Sequence, residues 1–213
     1  MTTLFLIRHA LTAVTGKTLY GRTPGISLDD RGRAQAEQLG ERFAPVRLSA
    51  IYSSPLARCT ETLGPLAERQ RLEVRTDDGL IEMDAGAWTE RPLAQLRRTR
   101  LWRVVMEHPS QFRFPDGEAF VEAQARALTT VQAIVARHPR GRIAVGTHGD
   151  IVRMLVAHFA GAHLDLFQRN ASDPASVSVV QLGDGSPRVL LVNDTGGLER
   201  FAPVRRAKPN LRG

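Results

Sequence analysis

Four apolar residues followed by two polar ones, Leu4-Phe5-Leu6-Ile7-Arg8-His9, constrain the fold of this chain more than any other stretch. The apolar run is too short for an unsupported helix and shows no alternation, which predicts a strand covered on both faces. Such strands belong to parallel sheets wrapped by helices, so an α/β architecture follows. Ligands of these sheets bind in the crevice beyond the carboxyl ends of the strands. Arg8 and His9 stand there, a cation beside an imidazole, which suits an anion. A snorkelling arginine and a capping histidine would explain this one strand end equally well. Later strands, however, end the same way.

Residues 48–53, 72–75 and 142–147 are further short strands by the same reading, and helical patterns separate them. Ala34, Ala36, Leu39 and Phe43 give residues 28–43 an apolar helical face, with Asp29 and Asp30 suiting the amino end of its dipole. Ser54-Pro55 predicts an N-cap and a first-turn proline for a helix over 55–63, with a second arm restarting near Pro65. Residues 92–108, rich in arginine, residues 117–138 and residues 151–159 complete the helices. Residues 177–182 and 189–192 flank Gly183-Asp184-Gly185-Ser186-Pro187, the pattern of a hairpin. The expected fold is a three-layer α-β-α sandwich whose mostly parallel sheet ends in an antiparallel C-terminal hairpin strand. With 213 residues and no internal repeat, residues 1–204 are expected to form one domain, and the basic tail 205–213 to be disordered.

Arg8 and His9 follow the first strand, Arg58 lies just beyond the second, and His148 follows the strand over 142–147. In a parallel sheet these ends share one edge, so two imidazoles and two guanidiniums can meet in one crevice. Gly149 allows close backbone approach, and the helix after it offers N–H groups and a positive dipole end. All of this favours a phosphate. The formal charge of +7, carried by 29 basic residues of which only Lys17 and Lys208 are lysines, fits phosphorylated partners in general. No zinc-finger spacing or aromatic-basic pattern raises nucleic acid above a general basic surface. Gly16-Lys17-Thr18 imitates part of a P-loop, but the first glycine that motif requires would fall at Leu11. Cys59 is the only cysteine, no signal-peptide pattern precedes it and no apolar stretch is long enough to span a bilayer, so a cytoplasmic protein without membrane attachment is expected.

These residues resemble the histidine phosphatase superfamily, in the branch that includes the cofactor-dependent phosphoglycerate mutases. Arg8-His9-Ala10 is similar to its arginine-histidine-glycine signature, the run from Ser53 through Arg58 to Thr62 to its second arginine motif, and Thr147-His148-Gly149 to its second histidine motif. Leu80-Ile81-Glu82 with Gly86-Ala87-Trp88 resembles the segment carrying its acid. The resemblance implies that His9 is the nucleophile, that Arg8, Arg58 and His148 hold the phosphoryl oxygens together with Gly149, and that Glu82 is the general acid. It implies no metal and no cofactor. The cations around Glu82 are expected to lower its pKa, with a bound phosphate dianion restoring the proton; a carboxylate merely paired with an arginine is the plainer alternative. Ala10 departs from the usual glycine. Thr15 falls where the family commonly has an asparagine touching phosphate, and Thr12 is a second candidate for that contact.

The mutases grip phosphoglycerate with tyrosine, lysine and arginine residues after the acid. Here both tyrosines, Tyr20 and Tyr52, lie upstream, and no lysine stands between Lys17 and Lys208. Residues 88–93 and 115–118 look more like the phosphatase members, while residues 173–179 and 193–197 resemble a phosphomutase subgroup. Hydrolysis of a small phosphomonoester is therefore the expected activity, ahead of a mutase using a bisphosphorylated primer and of a non-catalytic polyanion-binding domain. Oligomeric state is left open, a homodimer being compatible. Trp88 and Trp102 are expected in the core, His108, His138, His158 and His163 at the surface or at caps, and Arg97, Arg98, Arg100 and Arg103 on a solvated helix face unless they meet an acidic substrate.

Overall fold

The computed structural model describes residues 1–183 and 185–196. Asp184 of the hairpin turn and the expected basic tail lie outside the described residues. In chain order the elements are β1 (Thr2–Arg8), β2 (Thr18–Leu19), α1 (Asp30–Arg42), β3 (Ala50–Ser53), α2 (Ala57–Gln70), β4 (Val74–Thr76), β5 (Arg91–Pro92), α3 (Leu93–Leu96), α4 (Arg100–Glu107), α5 (Phe120–Arg137), β6 (Arg142–Thr147), α6 (Gly149–Phe159), β7 (Val177–Leu182) and β8 (Arg188–Asp194).

Six strands form one sheet in the order β4-β3-β6-β1-β7-β8. The first four run parallel, and β7 and β8 add antiparallel edges to them. β1 lies inside this order and is covered on both faces, as its unbroken apolar run requires. Leu4 and Leu6 pack with α5 and α6 residues such as Phe120, Ile134 and Leu155, while Phe5 and Ile7 meet Leu39 of α1, Phe43 at its C-cap, and Leu63 and Leu66 of α2. All four β1 side chains are fully buried, and each such burial contributes about 1.5–3 kcal/mol. The two cores on opposite faces make the three-layer sandwich. The register sets Arg8 beside Thr147, and Ser53 beside Gly146, so the residues that follow these strands emerge at one edge.

Two helices depart from the expected boundaries. α2 begins at Ala57 and runs through Pro65 without a break. Ser54 is drawn away from capping because its hydroxyl bonds His148 Nε2 at 2.8 Å and reaches Leu56 N only at 3.4 Å. The turn around Pro65 survives because Leu63, Leu66 and Ala67 are buried on either side of it. The expected helix over 92–108 is instead α3 and α4. Thr99 divides them: its hydroxyl donates to Leu96 O at 2.7 Å and accepts from Trp102 N at 3.2 Å, capping a new helix. A further difference is the ribbon of β2 with β5, which ties the loop after β1 to the segment after Glu82.

Candidate active site

His9 leaves β1 buried, at 2% exposure, and its Nδ1 lies 2.8 Å from Ala10 O. A carbonyl only accepts, so Nδ1 carries the proton and Nε2 keeps a lone pair. Burial, reinforced by the Arg8 charge, lowers the His9 pKa to about 3. His148, fully buried after β6, has its ring centroid 5.4 Å from that of His9, and burial followed by the Arg58 charge holds its pKa well below the usual range. Both rings are therefore neutral at pH 7. Buried Cys59 lies with Sγ 3.5 Å from His148 Nε2, and burial pushes its thiol up to about 12, which leaves it protonated.

Two guanidiniums complete the centre. Arg58, on the first turn of α2, is fully buried and donates through Nη2 to Gly21 O at 2.7 Å. Arg8 donates through Nη1 to Ser172 O, and a Cβ on Gly149 would come within 3.2 Å of Arg8 Nε. Glycine thus lets the arginine lie against the start of α6. The Nε atoms of Arg8 and Arg58 are buried without a hydrogen-bond partner, an expensive condition that an anion relieves. Tyr20 stands over the centre, its ring centroid 4.7 Å from Arg58 Cζ and its hydroxyl 3.5 Å from His9 Nε2.

Glu82 Oε2 lies 3.9 Å from His148 Nδ1, and Glu82 Oε1 accepts from Met83 N at 3.0 Å. Its pKa departs from the expectation: burial, then the nearby Asp150 charge, raises it to about 7. The Arg58 and Arg126 charges do lower it, but burial and Asp150 outweigh them, and the arginines that reach its loop bond backbone rather than the Glu82 carboxylate. Arg22 Nε and Arg126 Nη2 both bond the Glu82 carbonyl, at 2.9 and 3.1 Å, and Arg126 Nη1 bonds Gly79 O and Ile81 O at 3.0 and 2.7 Å. The Glu118 carboxylate joins the two, accepting from Arg126 Nε and Nη2 at 2.7 and 2.9 Å and from Arg22 Nη2 at 3.1 Å. Thr147 Oγ1 pins the same loop through Leu80 O at 2.6 Å. Sequence reasoning missed this hub, although residues 115–118 were singled out by pattern.

Arg8, His9, Glu82 and Gly149 line a cavity of about 430 Å³ that continues outward past Tyr20 to Leu93, Arg97 and Trp102. Arg58 and His148 are adjacent but too buried to line it. Thr15 is not among the lining residues; its hydroxyl is 2.9 Å from that of Thr12 and accepts from Thr12 N at 3.0 Å. Trp88 is core as expected, whereas half-buried Trp102 faces the cavity. His138 ends α5 and bonds the Tyr52 hydroxyl, and His163 accepts from Asp165 N. Among the described residues no three His, Cys, Asp or Glu side chains cluster as a metal site would need.

A mostly parallel sheet between helices, with histidines and arginines gathered at its carboxyl edge, defines the phosphoglycerate mutase-like class of α/β enzymes. Residues 4–195 match the histidine phosphatase superfamily, branch 1, and the chain belongs to that family. It is 29% identical over 203 residues to phosphoserine phosphatase 1 of Hydrogenobacter thermophilus, covering 94% of this chain and 96% of that one. Phosphoglycerate mutase-like protein 4 of Arabidopsis thaliana is 29% identical over 157 residues, covering 71% of this chain and 68% of that protein. The solved structure of Bacillus stearothermophilus YhfR superposes with a TM-score of 0.84 at 29% identity, covering 91% of this chain and 98% of that one. The protein is thus an enzyme of the histidine phosphatase type. No helix among the described residues is long and apolar enough to cross a membrane.

Proposed function

We propose that the protein hydrolyses a phosphomonoester of a small molecule through a phosphohistidine formed on His9. The observation that carries this reading is a neutral imidazole, with Nε2 free of its proton, set beside the guanidiniums of half-buried Arg8 and buried Arg58, each with a buried, unpartnered Nε. His9 Nε2 attacks phosphorus, displacing the long contact to the Tyr20 hydroxyl. The ester oxygen leaves with a proton from Glu82, which a pKa of about 7 keeps half-protonated at neutral pH. Water then gives a proton to the Glu82 carboxylate and attacks the phosphohistidine, releasing inorganic phosphate and restoring both residues. Arg8, Arg58, His148 and the Gly149 amide at the start of α6 hold the phosphoryl oxygens, whose charge is spread in the transition state. Thr15 is assigned the remaining oxygen contact, reached by exchanging its bond to Thr12.

The named phosphatase relative supports transfer to water, and the absence of tyrosine after Glu82 and of lysine between Glu82 and Lys208 speaks against a phosphoglycerate grip. Inorganic phosphate release from a panel of metabolite esters, with no bisphosphorylated primer and with chelator present, tests the reading. Release is expected. Turnover that appears only with primer identifies a mutase, and binding without turnover identifies a polyanion-binding domain.

Two substitutions follow from the geometry. Arg58→Met keeps the buried stem and removes the fork; kcat/KM should fall by about 10²–10³, the effect of losing one oxyanion donor, with thermal unfolding as the control for folding. Glu118→Gln removes the charge that binds Arg22 and Arg126 and should lower turnover of alkyl esters by about tenfold while sparing aryl esters, because it loosens the loop carrying the acid. Equal losses on both ester types would make Glu118 merely structural.

A further inference from the structure

We propose that the wall formed by α3 and α4 is a subsite for the leaving alcohol, built for a flat apolar body that ends in an anionic group. The inference rests on reading the adjoining centre as a phosphoester site. A volume of about 430 Å³ exceeds what a phosphate needs and falls in the range of about 300–1,000 Å³ that suits whole small ligands.

The break at Thr99 creates this wall. As a single helix, residues 92–108 would spread their arginines over a solvated face. Because α4 restarts under the Thr99 cap, Trp102 comes into its first turn and Arg97 becomes the C-cap of α3, and both line the cavity. Trp102 stacks on buried Trp88, with centroids 6.3 Å apart and planes 19° apart, so the core fixes its ring as a platform. Leu93 and Val105 extend the apolar surface beside it.

Of the four clustered arginines, only Arg97 lines the cavity. Arg103 is engaged by Glu107 at 2.9 Å, and Arg153, the other cation on the outer wall, is engaged by Asp150 at 3.1 Å. Arg97 has no acidic partner among the described residues, so it is the cation left for a ligand. Its guanidinium suits a carboxylate or a second phosphate, and the cavity places that group across an aromatic platform from the ester.

The test uses the full chain and three phosphonates that cannot be hydrolysed: 4-(carboxymethyl)benzylphosphonate, its methyl ester, and 3-phosphonopropionate. Isothermal titration should show the aryl carboxylate binding about tenfold more tightly than its neutral ester, the worth of one charged hydrogen bond. Arg97→Gln should collapse that ratio towards one, and Arg98→Gln, outside the cavity, should preserve it. Trp102→Leu should weaken both aryl ligands about tenfold relative to 3-phosphonopropionate. Equal affinities for the carboxylate and its ester, or a ratio insensitive to Arg97→Gln, would overturn the subsite. Phosphate release from the matching phosphate esters is measured in parallel. Release without discrimination sinks the subsite and leaves hydrolysis standing; Arg97-dependent binding without release does the reverse.

Discussion

Replacing His9 by alanine should abolish phosphate release, with kcat falling by about 10⁴ or more, as for loss of an enzymic nucleophile. The lost group is the neutral imidazole whose Nδ1 proton is donated to Ala10 O. The same substitution should remove the acid-labile, base-stable phosphoprotein that rapid quenching of labelled substrate traps in the parent protein. The small side chain leaves β1 and its pairing with β6 and β7 intact, so the unfolding temperature should change little. A labelled protein that persists in the His9→Ala variant would assign the nucleophile elsewhere.

Glu82→Gln should show its effect through the leaving group. An alkoxide leaves poorly without a proton, so kcat/KM for an alkyl phosphate should fall by about 10²–10⁴. A nitrophenolate leaves unaided, and its ester should lose less than about tenfold. The pH dependence has a definite sign. The acid works protonated, so kcat/KM for alkyl esters should be lost as pH rises through about 7, where Glu82 gives up its proton. On the acid side His9 stays neutral down to about 3, so a decline near pH 6 reflects the second ionisation of the substrate. In Glu82→Gln the alkaline limb should disappear. Equal losses for both esters would remove Glu82 from the acid role.

The strand ends were legible in the sequence because β1, β3 and β6 are short apolar runs whose polar successors stand out, and because parallel pairing gathers carboxyl ends whatever the loops do. The convergence of Arg8, His9, Arg58 and His148 required no more than that. What was not legible depends on partners far away in the chain. Ser54 reads as a cap until His148, 94 residues on, takes its hydroxyl. The pKa of Glu82 reads as lowered until burial of its carboxyl and the Asp150 charge are found to outweigh Arg58 and Arg126. The division of α3 from α4 had a local signal in Thr99, but the arginine-rich pattern around it masked the cap.

The position of β1 between β6 and β7 bears on biosynthesis. The segment carrying His9 is synthesised before its hydrogen-bonding neighbours, which begin at Arg142 and Val177. Ala175 N closes on Arg8 O, and Ser172 O receives the Arg8 guanidinium. A nascent chain interrupted before these residues lacks the partners that surround its imidazole, so the proposed phosphoryl transfer should await their synthesis.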